Sequence, residues 1–151
     1  MTNPKKEADL VANLIHSQGI IGSCLYVSAI LHKRFKKKEI DHKIVDGFAV
    51  VSDKTFRHLW IELGDGETID GGYMLMLKMY PELERHPYRV SKDLPNDLQR
   101  IDNGTRKKKQ ELALLNEAIK LLMRDGFEEF EANMVKAYDK RAIELYQTLT
   151  R

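Results

Sequence analysis

Cys24 is the residue of this chain whose type and position point most directly to chemistry. It is the single cysteine of the chain and follows Gly22-Ser23 at the predicted start of a helix. In the first turn of a helix, unpaired backbone N–H groups and the helix dipole stabilise a thiolate, which is the nucleophilic form of cysteine. The alternative is that Cys24 is a small buried hydrophobic residue, the usual role of a lone cysteine.

His58 is the candidate base for such a nucleophile. It lies in the middle of a predicted strand, 56–63, where the alternation of side chains places it on one face with Phe56 and Trp60. The aliphatic residues of the strand form the other face, which is predicted to pack on the core. A histidine beside two aromatic side chains is either a packed structural residue or a base in a partly dry cleft.

Asp70 is the candidate partner of His58, on one condition. It lies on the next predicted strand, after a glycine-rich hairpin loop at 64–66. If the loop has three residues, with Leu63 opposite Glu67, Asp70 points to the same face as His58 and lies diagonal to it. A carboxylate there can hold the imidazole tautomer and stabilise the imidazolium. A two-residue loop would turn Asp70 to the opposite face.

Size and composition predict one soluble domain. The chain has 151 residues, and its 25 basic and 23 acidic residues leave a formal net charge of +2. A general attraction to nucleic acid or anionic lipid is therefore not expected. We find no secretory signal and no apolar stretch of about 18 residues, so we expect no membrane segment and a cytoplasmic location.

No metal or other cofactor is expected. A single cysteine rules out an internal disulfide and a multi-cysteine zinc or iron–sulfur site. The remaining histidines show no recurring ligand spacing; they are His16, His32, His42 and His86.

Hydrophobic periodicity and turn residues predict an α+β fold with two helices, then strands, then helices again. The predicted elements are helices at 5–17 and 24–38, strands at 43–52, 56–63 and 67–71, a short helix at 73–80, an irregular connection at 81–104, and two helices at 105–124 and 127–149.

Three segments together resemble the core of transglutaminase-like enzymes. They are Gly22-Ser23-Cys24 at a helix start, the strand His58-Leu59-Trp60-Ile61-Glu62, and Thr68-Ile69-Asp70. That family shows a cysteine at the head of a helix, an H-A-W-x-E-type strand and an aspartate on the next strand. In addition, Gln18-Gly19-Ile20-Ile21-Gly22-Ser23-Cys24-Leu25 is similar to the papain-type stretch Q-G-x-x-G-S-C-W. The two families are held to share an ancestral fold, and the resemblance covers about residues 18–71.

The resemblance implies a papain-like/transglutaminase-like cysteine enzyme. Its core would be a Cys-bearing helix packed on a small antiparallel sheet, here within residues 1–80 of a single domain 1–151, with 105–151 as a C-terminal helical hairpin. Cys24 would be the nucleophile, His58 its base and Asp70 the residue that orients His58. The side chain of Gln18, with the backbone N–H of Cys24, would stabilise the oxyanion. Gln18 is otherwise a polar residue that closes the first helix.

The sequence departs from both families near the candidate site. Leu25 stands where papain-type enzymes have tryptophan, and Leu59 stands where the transglutaminase-like strand has alanine. No asparagine after His58 matches the papain orienter, so Asp70 must serve. These departures leave the triad intact but leave the substrate class open.

The sequence therefore predicts a cysteine-dependent hydrolase or acyltransferase that acts on peptide or amide bonds of a peptide or protein substrate. A cysteine peptidase is the first expectation, and a transglutaminase or protein deamidase with the same triad is the alternative. A further alternative is a non-catalytic adaptor that keeps the fold and binds nucleic acid or protein through the basic runs at 33–38 and 106–109. The oligomeric state is left open.

Overall fold

The computed structural model describes residues 3–20, 23–95, 99–100 and 109–151. The helices in these ranges are α1 Pro4–Ser17, α2 Cys24–Lys37, α3 Gly71–Met79, α4 Lys109–Met123, α5 Phe127–Ala137 and α6 Lys140–Thr150, with a short 3-10 helix at Pro81–Arg85. The strands are β1 His42–Val51, β2 Lys54–Leu63, β3 Thr68–Ile69, β4 Tyr88–Ser91 and β5 Gln99–Arg100. None of these helices is long and apolar enough to cross a membrane.

Four of the strands form an antiparallel sheet in the order β3-β2-β1-β4, and β5 pairs in parallel with the start of β2. The long hairpin of β1 and β2 lies at its centre, with Gly47 opposite His58 and Val45 opposite Trp60. The α+β class predicted from the sequence is confirmed.

Polar side chains fix where the first two helices begin. The Asn3 side chain accepts hydrogen bonds from the backbone N–H groups of Lys5 and Lys6 at the start of α1. The Ser23 hydroxyl accepts one from the Tyr26 N–H at the start of α2. Such caps satisfy N–H groups that a helix leaves without partners. The cap at Ser23 therefore places Cys24 in the first turn of α2, as the sequence predicts.

The core lies between the helices and one face of β2. Leu59 and Ile61 are buried in the same cluster as α2 residues such as Ile30. The Ser28 hydroxyl also donates a hydrogen bond to the backbone carbonyl of Leu59 (3.5 Å). These contacts hold the first half of α2 against the strand that carries His58.

The prediction of a third strand at 67–71 is wrong at the C-terminal end of the strand. β3 contains Thr68 and Ile69 alone, and Gly71 is already the first residue of α3. The strand stops because the Asp70 side chain caps α3, accepting a hydrogen bond from the Tyr73 N–H (3.0 Å). The predicted short helix at 73–80 is present and begins two residues earlier.

The segment 81–104, predicted to be irregular, contains regular structure. The 3-10 helix opens it, and β4 then pairs with β1, placing Val90 opposite Ala49 and Tyr88 opposite Val51. The prediction is therefore wrong for this part of the segment. Residues 96–98 and 101–104 lie outside the described residues.

The predicted C-terminal helical hairpin is corrected to three helices. The second predicted helix, 127–149, is interrupted at Tyr138, because Asp139 caps α6 by accepting a hydrogen bond from the Ala142 N–H (2.9 Å). α6 then packs on α2, where the Tyr26 hydroxyl donates to the Ala142 carbonyl (2.7 Å). Residues 105–108 of the first predicted helix lie outside the described residues.

Candidate active site

Cys24 is the first residue of α2 and is partly exposed. Its thiol lies close enough to the His58 side chain and to the backbone of Leu59 for both to lower its pKa. The contact with Leu59 is possible because α2 packs directly on β2. Cys24 thus lies at a helix start, beside a histidine and beside the backbone of Leu59.

His58 is buried on the face of β2 that lies away from the main core. Its ring lies between those of Phe56, at 6.0 Å and nearly perpendicular, and Trp60, at 6.1 Å and roughly parallel. Gly47, opposite His58, leaves space for the indole, since a Cβ there would be 2.5 Å from Trp60. Two aromatic rings and a glycine therefore fix the orientation of the imidazole.

The hairpin loop has three residues, which is the condition for Asp70 to share a face with His58. Leu63 donates a backbone hydrogen bond to the Glu67 carbonyl (2.8 Å), and the register continues with Ile69 opposite Ile61. Gly66 takes a φ of +90°, which a residue with a side chain rarely adopts. The predicted register is confirmed, and the His58 Nε2–Asp70 Oδ1 distance is 2.8 Å.

The three side chains lie side by side, with Cys24 next to His58 and His58 hydrogen-bonded to Asp70. Because Nε2 of His58 is bonded to Asp70, Nδ1 is the ring nitrogen left to face Cys24. A carboxylate accepts from Nε2–H, which leaves Nδ1 as the nitrogen that exchanges a proton with the thiol. The structure thus brings together three residues that lie far apart in the sequence.

The electrostatics of this cluster favour charge on both Cys24 and His58. Burial alone would raise the pKa of the Cys24 thiol, but the hydrogen bond and charge of His58 outweigh it and lower the pKa. Burial also opposes charge on His58, yet its hydrogen bonds to Asp70 and Cys24 raise the pKa of the imidazole to about 9. A lowered thiol pKa beside a raised imidazole pKa favours a thiolate–imidazolium pair near neutral pH.

Tyr88 and Tyr73 lie on the other side of Asp70. The Tyr88 hydroxyl donates a hydrogen bond to Asp70 Oδ2, while the two tyrosine rings stack with centroids 3.7 Å apart and an angle of 9°. Burial and the neighbouring carboxylate raise the pKa of Tyr88, so its hydroxyl stays protonated and donates. Tyr88 is not among the residues predicted from the sequence, because it lies in the segment predicted to be irregular.

Gly72 lies directly against Cys24 and His58. A Cβ at this position would be 3.0 Å from the Cys24 Cβ and 3.0 Å from His58 Cε1. Alanine is a better helix former than glycine. Any loss of stability or of Cys24 reactivity in Gly72→Ala therefore comes from this contact. We expect the variant to slow iodoacetamide alkylation of Cys24 at pH 6 about 10-fold, because small displacements of reacting groups are costly.

Gly71→Ala is the matched control for this prediction. A Cβ at Gly71 would meet Val27 at 2.6 Å and Leu31 at 2.7 Å, in the contact between α3 and α2. This variant should lower the free energy of unfolding at least as much as Gly72→Ala, yet slow alkylation less. Equal alkylation rates in the two variants would show that Gly72 contributes packing alone.

Gln18 is not among the residues seen to bond to Cys24, His58 or Asp70 in the described part of the chain. It is exposed after the last turn of α1, where its backbone carbonyl accepts a hydrogen bond from Arg141 (3.3 Å). Within the described part of the chain, no hydrogen bond joins its side chain to Cys24 or His58. The role of Gln18 in an oxyanion site therefore stays a prediction.

Tyr138 also approaches the Cys24 end of α2. Its hydroxyl lies 3.4 Å from the Ser23 hydroxyl, and its ring is 5.3 Å from that of Tyr26. Burial raises the pKa of Tyr138. The junction of α5 and α6 therefore borders the candidate site, which the periodicity of the C-terminal segment did not indicate.

In the described residues, no group of three or more His, Cys, Asp or Glu side chains is arranged to hold a metal ion. A groove of about 370 Å³ lies between α5 and α6, and neither Cys24, His58 nor Asp70 lines it. Comparison with known proteins found no matching protein family, no similar curated protein and no similar solved structure. Function must therefore be inferred from the residues and their geometry.

Proposed function

We propose that this protein is a cysteine-dependent hydrolase or acyltransferase that acts on peptide or amide bonds, and that it is a peptidase of the papain-like/transglutaminase-like superfamily. The observation that carries the proposal is the placement of Cys24 beside His58, which is itself hydrogen-bonded to Asp70. Nucleophile, base and orienter in contact are the pattern of covalent acyl transfer. The resemblance between residues 18–71 and this superfamily supports it.

In the first half of the reaction, the Cys24 thiolate attacks the carbonyl carbon and forms a carbon–sulfur bond. The carbonyl oxygen becomes an oxyanion near the start of α2, where the Cys24 N–H has no partner within the helix. His58 gives its Nδ1 proton to the leaving nitrogen as the carbon–nitrogen bond breaks. The products are a thioester on Cys24 and a free amine.

In the second half, neutral His58 takes a proton from the incoming nucleophile. That nucleophile attacks the thioester carbon, and the Cys24 thiolate leaves, which restores the imidazolium–thiolate pair. Asp70 stabilises the imidazolium each time it forms. Water as acceptor gives hydrolysis, and a primary amine gives transglutamination. Ammonia as the first leaving group gives deamidation, so one triad serves all three reactions.

The test combines two kinds of substrate with one pair of proteins. Wild type and Cys24→Ala are incubated with a degenerate peptide library, and with a glutamine-containing protein plus a primary amine. Mass spectrometry then identifies the products. We expect new peptide termini with wild type alone, whereas amine incorporation or conversion of glutamine to glutamate would indicate the alternative reactions. Products that form equally with Cys24→Ala would contradict the proposal.

The described structure gives no observation in favour of an adaptor that binds through the basic run 33–38. Four cations of this run form ion pairs within the chain: Lys33 with Glu131, Arg34 and Lys38 with Glu7, and Lys36 with Asp125. These pairs tie the end of α2 to α1, to α5 and to the turn before α5. Four cations of this run thus have partners within the fold, while residues 106–108 of the second run lie outside the described residues.

A further inference from the structure

The Asp70 carboxylate receives hydrogen bonds on both of its oxygens. Oδ1 accepts from His58 Nε2 (2.8 Å) and from the Tyr73 N–H (3.0 Å). Oδ2 accepts from the Tyr88 hydroxyl. Asp70 is 9% exposed, so little water is available to replace a lost donor. The Tyr88 hydroxyl is therefore the donor that holds the second oxygen.

Two independent contacts fix the position of the Tyr88 hydroxyl. The backbone of β4 is paired with β1, where Tyr88 lies opposite Val51. Its ring stacks on Tyr73, which lies in the first turn of α3. The sheet and α3 thus aim one hydroxyl at one carboxylate oxygen.

We infer that Tyr88 is a positioning residue, which keeps Asp70 Oδ1 directed at His58 Nε2 by holding Oδ2. The inference rests on the proposed function, because it assigns Tyr88 to the same triad. The χ2 torsion of aspartate is broad and roughly two-fold, so a carboxylate held on one oxygen alone can turn. A second anchor on Oδ2 removes that freedom.

The charged and titratable neighbours of His58 come from several elements. α2 contributes Cys24, the start of α3 contributes Asp70, and β4 contributes Tyr88. Arg57 precedes His58 on β2 but points to the opposite face, where it is paired with Asp46 (2.8 Å). Tyr88→Phe changes one hydrogen bond in this set and leaves each of the other groups in place.

Tyr88→Phe is expected to weaken the His58–Asp70 hydrogen bond and lower the pKa of His58. The readout is the rate of Cys24 alkylation by iodoacetate from about pH 4 to pH 10. This anionic reagent needs the thiolate and is attracted by the imidazolium, so the wild-type rate should fall as His58 loses its proton at about pH 9. In Tyr88→Phe we expect that fall about one pH unit lower, the size of one charge-assisted hydrogen bond.

Tyr73→Phe is the matched control, since it removes the other hydroxyl of the stacked pair. The donor that Tyr73 gives to Asp70 is its backbone N–H, which this variant keeps. Its alkylation profile should match that of wild type. An unchanged or higher pKa of His58 in Tyr88→Phe would overturn the positioning role, because the hydroxyl would then only fill space or withdraw charge.

The profiles also separate this inference from the proposed function. If wild-type Cys24 shows a single rise at the pKa of an ordinary thiol, the proposed function fails. If the wild-type alkylation rate both rises and falls with pH, and Tyr88→Phe does not shift the pH of the fall, only the role of Tyr88 fails. In a protein that already carries Asp70→Asn, Tyr88→Phe should not shift the pKa of His58 any further, because the hydroxyl acts through the carboxylate. An additional shift there would also overturn the inference.

Discussion

His58→Gln is expected to slow the alkylation of Cys24 by iodoacetamide at pH 6 by about 100-fold. An ordinary thiol has a pKa of about 8.5 and is only about 0.3% thiolate at pH 6. In the folded protein, burial by itself raises the pKa of Cys24, and the hydrogen bond and charge of His58 reverse that effect. Glutamine carries no charge, so burial then raises the pKa of Cys24 without the opposing charge of His58.

The control for this variant is His16→Gln, because His16 is exposed in the last turn of α1 and does not contact Cys24. Its alkylation rate should equal that of wild type. Unfolding curves of the three proteins show whether the buried substitution at His58 leaves the fold intact. If His58→Gln folds and Cys24 keeps its rate at pH 6, the imidazole does not activate the thiol.

Asp70→Asn is expected to lower the turnover of a cleaved peptide by about 10²–10⁴-fold, the range of a positioned acid–base group. The hydrogen bond that Asp70 accepts from His58 is a principal cause that raises the pKa of His58 to about 9. Without the carboxylate charge the imidazolium loses this support, and the thiolate–imidazolium pair gives way to the neutral pair.

The raised pKa of His58 also stabilises the folded protein. This contribution to the free energy of unfolding is complete below about pH 6.5 and is lost as pH rises through about 9.

Asparagine is chosen because Asp70 also caps α3. Asparagine is as good an N-cap residue as aspartate, so the helix start is preserved. Asp139→Asn is the matched control, because Asp139 caps α6 in the same way and lies outside the proposed triad. It should retain both stability and turnover. Comparable losses of turnover in the two variants would mean that Asp70 serves only as a helix cap.

Local signals in the sequence were sufficient for the elements that carry Cys24 and His58. Ser23 is a strong N-cap residue, so the start of α2 could be located within one residue. Alternation along β2 separated the face of His58 from the aliphatic core face. The glycine-rich loop set the register of β3, although the sequence alone left two loop lengths open.

Contacts between distant segments could not be predicted in the same way. The bond from Tyr88 to Asp70 depends on pairing of the short β4 with β1, and a four-residue strand between proline-containing segments has little periodicity. The closeness of Gly72 to Cys24 depends on how α3 packs against α2. Both follow from tertiary structure, which single-sequence patterns do not specify.

The C-terminal helices show a different limit of prediction from hydrophobic periodicity. Apolar residues such as Phe130, Met134 and Leu145 keep an approximately helical spacing across residues 127–149, so periodicity predicted one helix. The break at Tyr138 depends on Asp139, whose side chain competes with helix continuation by capping α6. A capping aspartate inside an amphipathic pattern was the signal that could have located the break.

The most direct measurement is a titration of Cys24 by the ultraviolet absorbance of its thiolate. The difference between wild type and Cys24→Ala removes the tyrosine contribution and reports this one thiol. We predict that the thiolate signal rises at a lower pH than that of an isolated thiol, because the pKa of Cys24 lies below its ordinary value while His58 remains protonated to about pH 9. A single ionisation at or above about pH 8.5, the value of an isolated thiol, would contradict the assignment of Cys24 as an activated nucleophile.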